Sequence, residues 1–386
     1  MRIAHFVSNF PEKGESEVYG KSLAAYNICI SLAERGHEIH VFTVSNVKES
    51  CFEDHGSLKV HRYKPIVKYK SEGFSYKIIE DSLNYDFDLV HVHSGISTTF
   101  LAGYRFSVKK NVPLVLTWHG DSVRGHGRYQ GIIAGSATIL YKHLLAKRVL
   151  NNAKAIITPS EYYIDESKFL GEYRNKVFPI SNGITVEEFE VPYSKDECKE
   201  KLGLTGKKVI LFVGSLFHLK GPHVLLKSVP SILKQYNDAV FVFMGGGDVE
   251  KYQKISSELK VTNEVLFPGY VQGKLKIAYY NAADIFVLPS LVEVFPLVLL
   301  EASASSLPMV VSNLDTFKCI VREGYNGIFT LSGDENSLKD AILMLIKNDD
   351  LRIEMGHNAL QNVKNFSWTK IAEDTENLYK KIITSQ

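Results

Sequence analysis

The sequence predicts an α/β fold with two Rossmann-like, doubly wound parallel-sheet domains that face each other across a cleft. Short apolar and β-branched runs alternate with longer helical patterns along most of the 386 residues. Such near-continuous apolar strands, separated by helices, are typical of parallel sheets covered on both faces. The chain is long enough for two or three domains, and each half is close to one doubly wound domain in length.

Strands are predicted where β-branched and apolar residues run together between turn residues. In chain order they are Ile3–Val7, Glu38–Val44, Asp88–His93, Leu114–Trp118, Ala155–Thr158, Val177–Ile180, Val209–Val213, Val240–Met244, Val265–Phe267, Ile285–Leu288 and Met309–Val311. Helical periodicity predicts helices at Ser22–Arg35, Gly221–Gln235 and Ser337–Lys347, and the tail from Trp368 to Tyr379 is an amphipathic helix with no strand after it. Ligand crevices in such folds lie at the carboxyl ends of the strands.

A domain boundary is predicted near Val186–Ser194. The strand that ends at Ile180 is followed by turn residues, and the charged stretch Glu187–Lys201 then leads to a new strand at Val209. Turn residues and a charged stretch are typical of a connection between domains. We therefore divide the chain between residues 188 and 189.

Composition excludes several classes of function. Apolar residues make up 45% and charged residues 23% of the chain, as in ordinary globular proteins, and a net charge of +2 is too small to indicate a nucleic-acid partner. No apolar run approaches the roughly 20 residues of a membrane span. The start, Met1–Val7, is a strand pattern and not a signal peptide. The four cysteines have neither paired nor metal-ligand spacing, so we expect a reducing, cytoplasmic location.

Two glutamates flank the apolar run that follows the strand Ile285–Leu288. Glu293 lies where this strand gives way to a helix, and Glu301 lies about two turns inside that helix. A carboxylate is an acceptor-only group with two oxygens, which suits neighbouring hydroxyls such as a sugar diol. Free N–H groups at the helix start, near Phe295–Val298, suit an anionic or polar ligand. The alternative is an ordinary amphipathic helix with one surface acid and one internal acid.

Two glycine-containing segments follow strands of the second half. Gly214 and Ser215 come directly after one strand, and Lys220 and Gly221 follow at the next helix start, where a lysine can neutralise a phosphate. The run Gly245–Gly247 ends the next strand and either opens room for a ligand or forms an ordinary turn. Neither segment is a dinucleotide fingerprint, and the chain has no Gly-x-x-x-x-Gly-Lys-Ser/Thr loop. Dehydrogenase and kinase-like NTPase functions therefore lose their main support.

The first half offers histidines and a glycine as candidate site residues. His119 follows the strand Leu114–Trp118, where it either contacts a polar substrate or bonds local backbone. His91 and His93 alternate on another strand and share one face. We interpret them as core histidines, because no third metal ligand stands at a convincing spacing. Gly20 precedes the first helix, where it either lets a loop approach a phosphate or forms a simple entry turn.

Together these residues resemble the large family of retaining glycosyltransferases with the GT-B fold, glycosyltransferase family 4 of the group 1 type. The resemblance covers nearly the whole chain in order, and the pair Glu293-(x7)-Glu301 is a specific marker in this setting. The other matching segments are Leu32–His37, Asp88–His93, Trp118–Gly120, Pro159–Glu161, Ser181–Gly183, Val213–Gly221, Val265–Val271, Ala283–Ser290, Asn326-Gly327 and the closing Trp368 helix.

The resemblance implies a nucleoside-diphosphate-sugar donor as co-substrate and no other cofactor. It implies that Glu301 binds the ribose hydroxyls of the nucleotide, and that Glu293 and the following helix start hold the donor sugar. The donor-binding residues implied in this way are Gly20, Gly214, Ser215, Lys220, Gly246, Phe295, Pro296, Leu297 and Glu301.

The catalytic residues implied by the resemblance are His119, Lys220 and Glu293. Lys220 is expected to contact the diphosphate leaving group, and His119 to lie near the sugar and the acceptor. The second half of the chain has no Asp-x-Asp pair to hold a diphosphate-bound cation, so we expect a metal-independent enzyme. The resemblance also implies that the C-terminal helix crosses back onto the first domain. The expected domains are therefore residues 1–188 plus 368–386 on the acceptor side and residues 189–367 on the nucleotide-sugar side.

One position and one segment depart from the family's pattern in ways that bear on function. Ser215 stands where an arginine often supplies a second cation for the leaving group, and Leu314–Cys319 replaces a Gly-Gly-x-Pro-Glu segment. The candidate replacements for the missing cation are His218, Arg124 and Lys318.

The expected function is hexosyl transfer (EC 2.4) to an acceptor hydroxyl of a glycan or lipid-linked glycan, with the anomeric configuration retained. No carboxylate nucleophile is evident, so front-side attack assisted by the leaving phosphate is preferred to double displacement. Two alternatives stay open. One is a GT-B-fold sugar-nucleotide epimerase or phosphorylase. The other, motivated by Ser215 and Cys319, is a catalytically degenerate nucleotide-sugar-binding protein.

The expected acceptor domain contains two basic segments that allow two interpretations of where the acceptor is met. They are Arg62–Lys70, which is also rich in tyrosine, and Tyr141–Arg148. Either these segments are solvated charged faces, or they meet an anionic membrane that carries a lipid-linked acceptor. The second alternative places a cytoplasmic enzyme peripherally at the inner membrane face.

Overall fold

Two sheets of mainly parallel strands organise the chain. The structure is a computed structural model that describes residues 1–11, 20–45, 47–69, 72–94, 98–121 and 144–385. The chain divides into two units, one formed by Met1–Asn182 with Trp368–Gln386 and the other by Gly183–Ser367. Each unit has its own sheet and its own buried apolar core.

The first unit contains an eight-stranded sheet and a separate hairpin. Its strands are β1 (Arg2–Ser8), β2 (Glu38–Val44), β3 (Cys51–His55), β4 (Leu58–Tyr63), β5 (Val67–Tyr69), β6 (Glu72–Phe74), β7 (Leu89–His93), β8 (Leu114–Thr117), β9 (Ala155–Thr158) and β10 (Val177–Pro179). The sheet order is β10-β9-β8-β7-β1-β2-β4-β3, with β3 antiparallel to β4, and β5 pairs with β6. Its helices are α1 (Gly20–Glu34), α2 (Lys77–Asp81), α3 (Thr98–Lys110), α4 (residues 144–152) and α5 (Tyr163–Glu166).

The second unit contains a six-stranded parallel sheet. Its strands are β11 (Lys208–Val213), β12 (Ala239–Met244), β13 (Val265–Gly269), β14 (Ile285–Leu288), β15 (Met309–Ser312) and β16 (Gly327–Thr330). Their order is β13-β12-β11-β14-β15-β16. Its helices are α6 (Lys195–Lys201), α7 (Pro222–Leu233), α8 (Val249–Glu258), α9 (Gly273–Ala282), α10 (Leu297–Ala304), α11 (Glu335–Lys347) and α12 (Asp349–Val363). The strands β11, β12 and β14 are buried along nearly their whole length, as expected for a sheet covered on both faces.

The C-terminal helix α13 (Trp368–Thr384) belongs to the first unit. Trp368 and Tyr379 join the core that also contains residues of β1 and α1. Glu376 of α13 accepts a hydrogen bond of 2.6 Å from the Nε of Arg35, just after α1, and pairs with Lys380 over 2.5 Å. The expected return of this helix to the first domain is confirmed, as is the α/β class with two parallel sheets.

Glu376 makes the docking of α13 sensitive to acid. Hydrogen bonds from Lys380 and Arg35 outweigh the opposing effect of burial and lower the pKa of this carboxyl from 4.5 to about 2. A carboxyl whose folded pKa is depressed stabilises the fold above its unfolded pKa, and that contribution is lost as the pH falls towards the folded pKa. We expect Glu376→Gln to lower the melting temperature at neutral pH, and the difference from the parent chain to shrink as the pH falls from 4.5 to about 2.

Differential scanning fluorimetry over this pH range measures the effect. The exposed neighbour Glu373 supplies the matched control, because Glu373→Gln removes a carboxylate from the same helix at a solvated position. If the melting temperatures of Glu376→Gln and the parent chain differ by the same amount down to about pH 2, the role given to Glu376 is contradicted.

Five of the strands in the described part of the chain were not predicted from the sequence. They are β3, β4, β5, β6 and β16. Of these, β3 carries charged residues and is exposed along most of its length, because it lies at the edge of the sheet. Such a strand lacks a continuous apolar run, so a search for apolar runs does not find it. Among the described residues, no helix combines the length and the apolar character needed to cross a bilayer.

Candidate active site

Loops at the carboxyl ends of β11, β12 and β14 form one connected layer in the second unit. The Leu216 N–H donates to the Gly246 carbonyl over 2.7 Å, and the Leu291 N–H donates to the Leu219 carbonyl over 2.8 Å. Ligands of open parallel sheets bind at this edge. The layer contains three of the predicted donor-binding residues, Gly214, Ser215 and Gly246.

Two glycines of this layer are required by the close approach of its loops. A Cβ on Gly221, whose φ is +71°, would lie 1.9 Å from the Pro289 carbonyl oxygen. A Cβ on Gly245 would lie 2.0 Å from the Gly214 carbonyl oxygen. Gly246 differs, since the position of its Cβ has open space around it. Gly221 and Gly245 therefore set the spacing of the loops, whereas the predicted role of Gly246 in donor binding stays a prediction.

Lys220 and Glu293 form an ion pair at this edge. Lys220 lies just before α7 and Glu293 lies between β14 and α10, and the lysine Nζ donates to the glutamate Oε1 over 2.5 Å. The Ser290 hydroxyl donates to the same oxygen over 2.9 Å. The Glu293 side chain is 7% exposed and that of Lys220 is 34% exposed. The carboxylate is therefore held in place and shielded from solvent, while about a third of the Lys220 side chain is exposed.

Glu301 is held by two residues of α9 that the sequence analysis did not single out. The Lys276 Nζ donates to Oε1 over 2.6 Å, and the Tyr280 hydroxyl donates to Oε2 over 2.7 Å. Burial, reinforced by the charge of Glu301, raises the pKa of Tyr280 well above its ordinary value, so Tyr280 remains a hydroxyl donor. A carboxylate has about four acceptor sites, so Glu301 keeps capacity for further donors.

The helix α10 begins after Pro296, which is its N-cap and has an extended conformation with φ −81° and ψ 111°. Proline has no N–H, so its backbone cannot donate a hydrogen bond to the sugar. Phe295 is buried in the core of the second unit. Leu297 and Val298 lie in the first turn of α10, where N–H groups have no intrahelical partner. These two amides are the donors that the helix start offers.

The three candidate replacements for the missing arginine differ in their surroundings. His218 lies in the same short 3₁₀ turn as Lys220. Lys318 pairs with Asp315 over 2.5 Å at an exposed position. Arg124 lies outside the described residues. His218 is therefore the candidate whose backbone is tied directly to the turn that carries Lys220.

His119 follows β8 in the first unit and is fixed through both its backbone and its ring. Its N–H donates to the Ser94 hydroxyl over 2.9 Å. Its Nε2 lies 3.1 Å from Nδ1 of His93. The loop around it is braced by a hydrogen bond of 2.9 Å from the Trp118 ring to Asp121. The ring of His119 is thus supported from the interior of the sheet.

Gly20 is the first described residue after a gap at residues 12–19, and α1 starts with it. Its φ of +48° favours glycine, and the position of its Cβ has open space around it. Tyr19, which precedes it, lies outside the described residues. The predicted approach of this loop to a phosphate stays a prediction.

His91 and His93 lie on β7 beside His5 of β1, and all three side chains are buried. Their ligand nitrogens lie within 4.8 Å of one another. His91 already uses both of its nitrogens: Nδ1 lies 2.5 Å from the Tyr379 hydroxyl, and Nε2 lies 2.6 Å from the Thr117 hydroxyl. A metal ion bound by His91 would have to displace one of these partners. The observed contacts fit core histidines that are bonded within the unit.

The basic segment that starts at Arg62 is partly internal. Arg62 is 2% exposed, and its guanidinium donates to Glu53 and to the carbonyl groups of Phe10 and Pro11. These acceptors explain its burial, because a guanidinium distributes its donors over several oxygens in a fixed geometry. Arg62 therefore cannot belong to a charged surface, and the expectation that it does is wrong. Lys64, two residues later, is exposed.

Comparisons with known proteins match the chain from near its start to near its end. The family model described as Glycosyl transferases group 1 matches residues 194–362, and the model described as Glycosyltransferase Family 4 matches residues 20–188. An uncharacterised glycosyltransferase of Methanocaldococcus jannaschii is 28% identical over 399 residues, which cover 98% of this chain and 98% of that protein.

Solved structures share the fold over the whole chain. A sucrose-phosphate synthase from Thermosynechococcus elongatus has a TM-score of 0.77 at 19% identity and covers 100% of both chains. Anabaena HepE in complex with UDP-glucose has a TM-score of 0.74 at 16% identity, covering 98% of this chain and 100% of that one. At these identities the likeness establishes the fold, and the expected GT-B class is confirmed.

Proposed function

Since the chain belongs to the group 1, family 4 glycosyltransferases, we propose that it transfers a hexose from a nucleoside-diphosphate sugar to an acceptor hydroxyl with retention of the anomeric configuration. The observation that carries this proposal is the carboxyl edge of the second sheet. There two nearly buried glutamates, Glu293 and Glu301, each pair with a lysine. Carboxylates accept from sugar hydroxyls, and lysines bind phosphate oxygens. Such an edge suits both parts of a nucleoside-diphosphate sugar.

We assign the ribose of the donor to Glu301. Lys276 and Tyr280 hold one carboxylate oxygen each, so the orientation of the group is set before a ligand arrives. The acceptor capacity that remains on Glu301 suits two adjacent ribose hydroxyls. Because the carboxylate is preorganised, little of the binding free energy is lost to ordering its side chain.

We assign the diphosphate to Lys220 and to the start of α10. An ammonium group has three N–H donors, so Lys220 can keep its bond to Glu293 and still donate to phosphate oxygens. The Leu297 and Val298 amides add donors at the positive end of the helix dipole. Negative charge grows on the leaving diphosphate in the transition state, and electrostatic stabilisation there is the main catalytic contribution we expect.

The proposed chemical step is a front-side substitution at the anomeric carbon of the sugar. The acceptor oxygen forms its bond to this carbon on the face from which the phosphate oxygen leaves, and the acceptor proton passes to that phosphate oxygen. Glu293 is engaged by Lys220 and Ser290, which favours hydroxyl binding over attack on the sugar. We propose that His119 lies near the sugar and the acceptor.

We expect the transfer to proceed without a divalent cation, because Lys220 and the α10 amides are proposed to meet the charge of the diphosphate. Dialysis against EDTA should leave the rate of donor turnover within about twofold of the untreated rate. Loss of activity that Mg²⁺ or Mn²⁺ restores, and that NaCl at equal ionic strength does not, would contradict this expectation.

A thermal-shift panel of nucleoside diphosphates and their sugars tests the donor assignment. A ligand present at about 100 times its Kd stabilises the fold by about 2.7 kcal/mol. UDP and UDP-glucose come first, because the HepE neighbour was solved with UDP-glucose. We expect one nucleotide series to raise the melting temperature of the parent chain and to have a much smaller effect on Glu301→Gln. If no member of the panel raises the melting temperature of the parent chain, the proposal is contradicted.

Turnover assays on the donor that binds separate the alternative functions. Epimerisation of the nucleotide sugar without an acceptor would select an epimerase, and phosphate-dependent cleavage of a glucan would select a phosphorylase. Binding without turnover across an acceptor panel would select the degenerate nucleotide-sugar-binding protein, which the serine at position 215 motivates.

The proposed acceptor is a glycan or lipid-linked glycan, met by an enzyme of the cytoplasm. Exposed basic side chains of the first unit, among them Lys64 and Lys147, are the groups that an anionic membrane could attract. Flotation with anionic liposomes at low and high salt separates the two locations. Salt-sensitive flotation would place the enzyme peripherally at the inner membrane face, and its absence would remove that location.

A further inference from the structure

A chain of three histidines links the interior of the first unit to His119. Nδ1 of His5 lies 3.3 Å from Nε2 of His93, and Nδ1 of His93 lies 3.1 Å from Nε2 of His119. His5 and His93 are buried on the neighbouring strands β1 and β7, and His119 is partly buried just after β8. Each link joins one nitrogen of one ring to one nitrogen of the next.

The ring of His93 is also fixed by stacking on His91. Their centroids are 4.4 Å apart and their planes differ by 23°. His91 is itself anchored at both nitrogens, by the hydroxyl groups of Tyr379 on α13 and Thr117 on β8. Rotation of the His93 ring would break this stack, so its Nδ1 stays directed at His119.

His5 and His91 are uncharged at neutral pH. Burial and the nearby His93 lower the pKa of His5 well below its ordinary value. Burial, followed by His93, His5 and His119, does the same for His91. A neutral imidazole has one N–H and one lone pair, so each nitrogen–nitrogen link of a neutral chain holds a single proton.

The far nitrogen of His5 decides the direction in which these protons point. Nε2 of His5 is buried and has no hydrogen-bond partner among the described residues. If the protons point inward, this nitrogen carries a buried N–H with no acceptor, which is the rarer kind of unsatisfied group. If the protons point outward, towards His119, Nε2 of His5 carries only a lone pair and no N–H is left without an acceptor. The outward order is therefore favoured, and it places the proton of all three rings on Nδ1.

We propose that His93 is a positioning residue that holds His119 as the tautomer protonated on Nδ1, so that His119 donates a hydrogen bond to the substrate and does not take up the acceptor proton. The inference rests on the proposed function, in which His119 lies near the sugar and the acceptor. It agrees with the front-side step, in which the acceptor proton passes to the leaving phosphate. An N–H at this position suits a sugar hydroxyl oxygen.

Long-range ¹H–¹⁵N NMR on protein labelled with ¹⁵N-histidine reports the tautomer of each neutral ring, and His119→Gln identifies the signals of His119 by their loss. We expect Nδ1–H for His119 in the parent chain. His93→Leu removes the supporting donor, so both tautomers should be populated. In the same variant kcat should fall about tenfold, with the donor KM changed by less than about twofold. His93→Asn keeps an N–H near the place of Nδ1 and should preserve the tautomer and most of kcat.

The pair His40–His61 supplies the matched control. Nδ1 of His40 lies 3.1 Å from Nε2 of His61 on neighbouring strands of the same sheet, and both rings are buried. His61→Leu removes a similar contact, but none of the described hydrogen bonds connects that pair to His119. It should therefore leave the tautomer of His119 unchanged.

Three results would overturn the proposal. The first is an Nε2–H tautomer of His119 in the parent chain, and the second is an unchanged tautomer in His93→Leu. The third is stoichiometric binding of Zn²⁺ that shifts the signals of His5 and His93, since a bound metal would replace the proton links. The tautomer is measured without donor, so its failure is distinct from a failure of the proposed function, which the nucleotide panel tests.

Discussion

Replacing Lys220 by alanine is expected to lower kcat about 10²- to 10³-fold while changing the donor KM by less than about threefold. The charge of the leaving diphosphate develops in the transition state, so an ammonium placed there contributes more to that state than to the bound donor. Lys220→Arg should recover part of the rate, because a guanidinium keeps the charge but differs in shape. Steady-state kinetics with the donor found by the thermal-shift panel measure both variants.

Lys227 provides the matched control for this prediction. It is an exposed lysine on α7, the helix that follows Lys220, so Lys227→Ala removes one positive charge nearby without touching Glu293. The kcat of Lys227→Ala should equal that of the parent chain. Since Lys220→Ala leaves Glu293 without its lysine, the melting temperature with and without donor shows whether the variant is folded. A folded Lys220→Ala enzyme with undiminished kcat would remove the leaving-group assignment.

Replacing Glu301 by glutamine is expected to raise the donor KM about 10- to 100-fold, with a smaller effect on kcat. A hydrogen bond to a charged group contributes about 1.5–3 kcal/mol, and the ribose is held equally in the bound donor and in the transition state. Loss of such uniform binding appears in KM. The glutamine also leaves Lys276 without its carboxylate partner.

A donor analogue that lacks the 2′- and 3′-hydroxyls tests whether the ribose is the group bound. The parent chain should bind this analogue more weakly than the normal donor. Glu301→Gln should lose little further affinity for it, because the contact is already absent. A double-mutant cycle compares the four combinations. Additive losses would mean that Glu301 acts elsewhere than on the ribose.

Much of the fold could be predicted from the sequence because its strands are buried on both faces. The strands at Ala155–Thr158 and Ile285–Leu288 were predicted with the bounds that the structure shows. A buried parallel strand needs a continuous apolar run, and such a run is visible locally. The edge strand Cys51–His55 gives no such signal, since exposed residues on an edge can be charged.

The side-chain partners at the site could not be predicted, because they join distant parts of the chain. Lys220 and Glu293 are separated by 73 positions, and Lys276 meets Glu301 only when α9 and α10 pack in the same unit. The spacing of Lys276 and Tyr280 on one helix face was visible, yet nothing in the sequence tied that face to Glu301. The same holds for Arg62, whose burial follows from acceptors on Glu53 and on Phe10, which lies just after β1.

The stereochemistry of donor turnover tests the central claim most directly. In the absence of an acceptor, slow transfer to water releases the sugar, and time-resolved ¹H NMR distinguishes the anomer formed first from the mutarotated mixture. A retaining transferase that uses Lys220 for the leaving group should first release the sugar with the anomeric configuration of the donor, and Lys220→Ala should slow that release. First release of the opposite anomer would contradict the proposed mechanism.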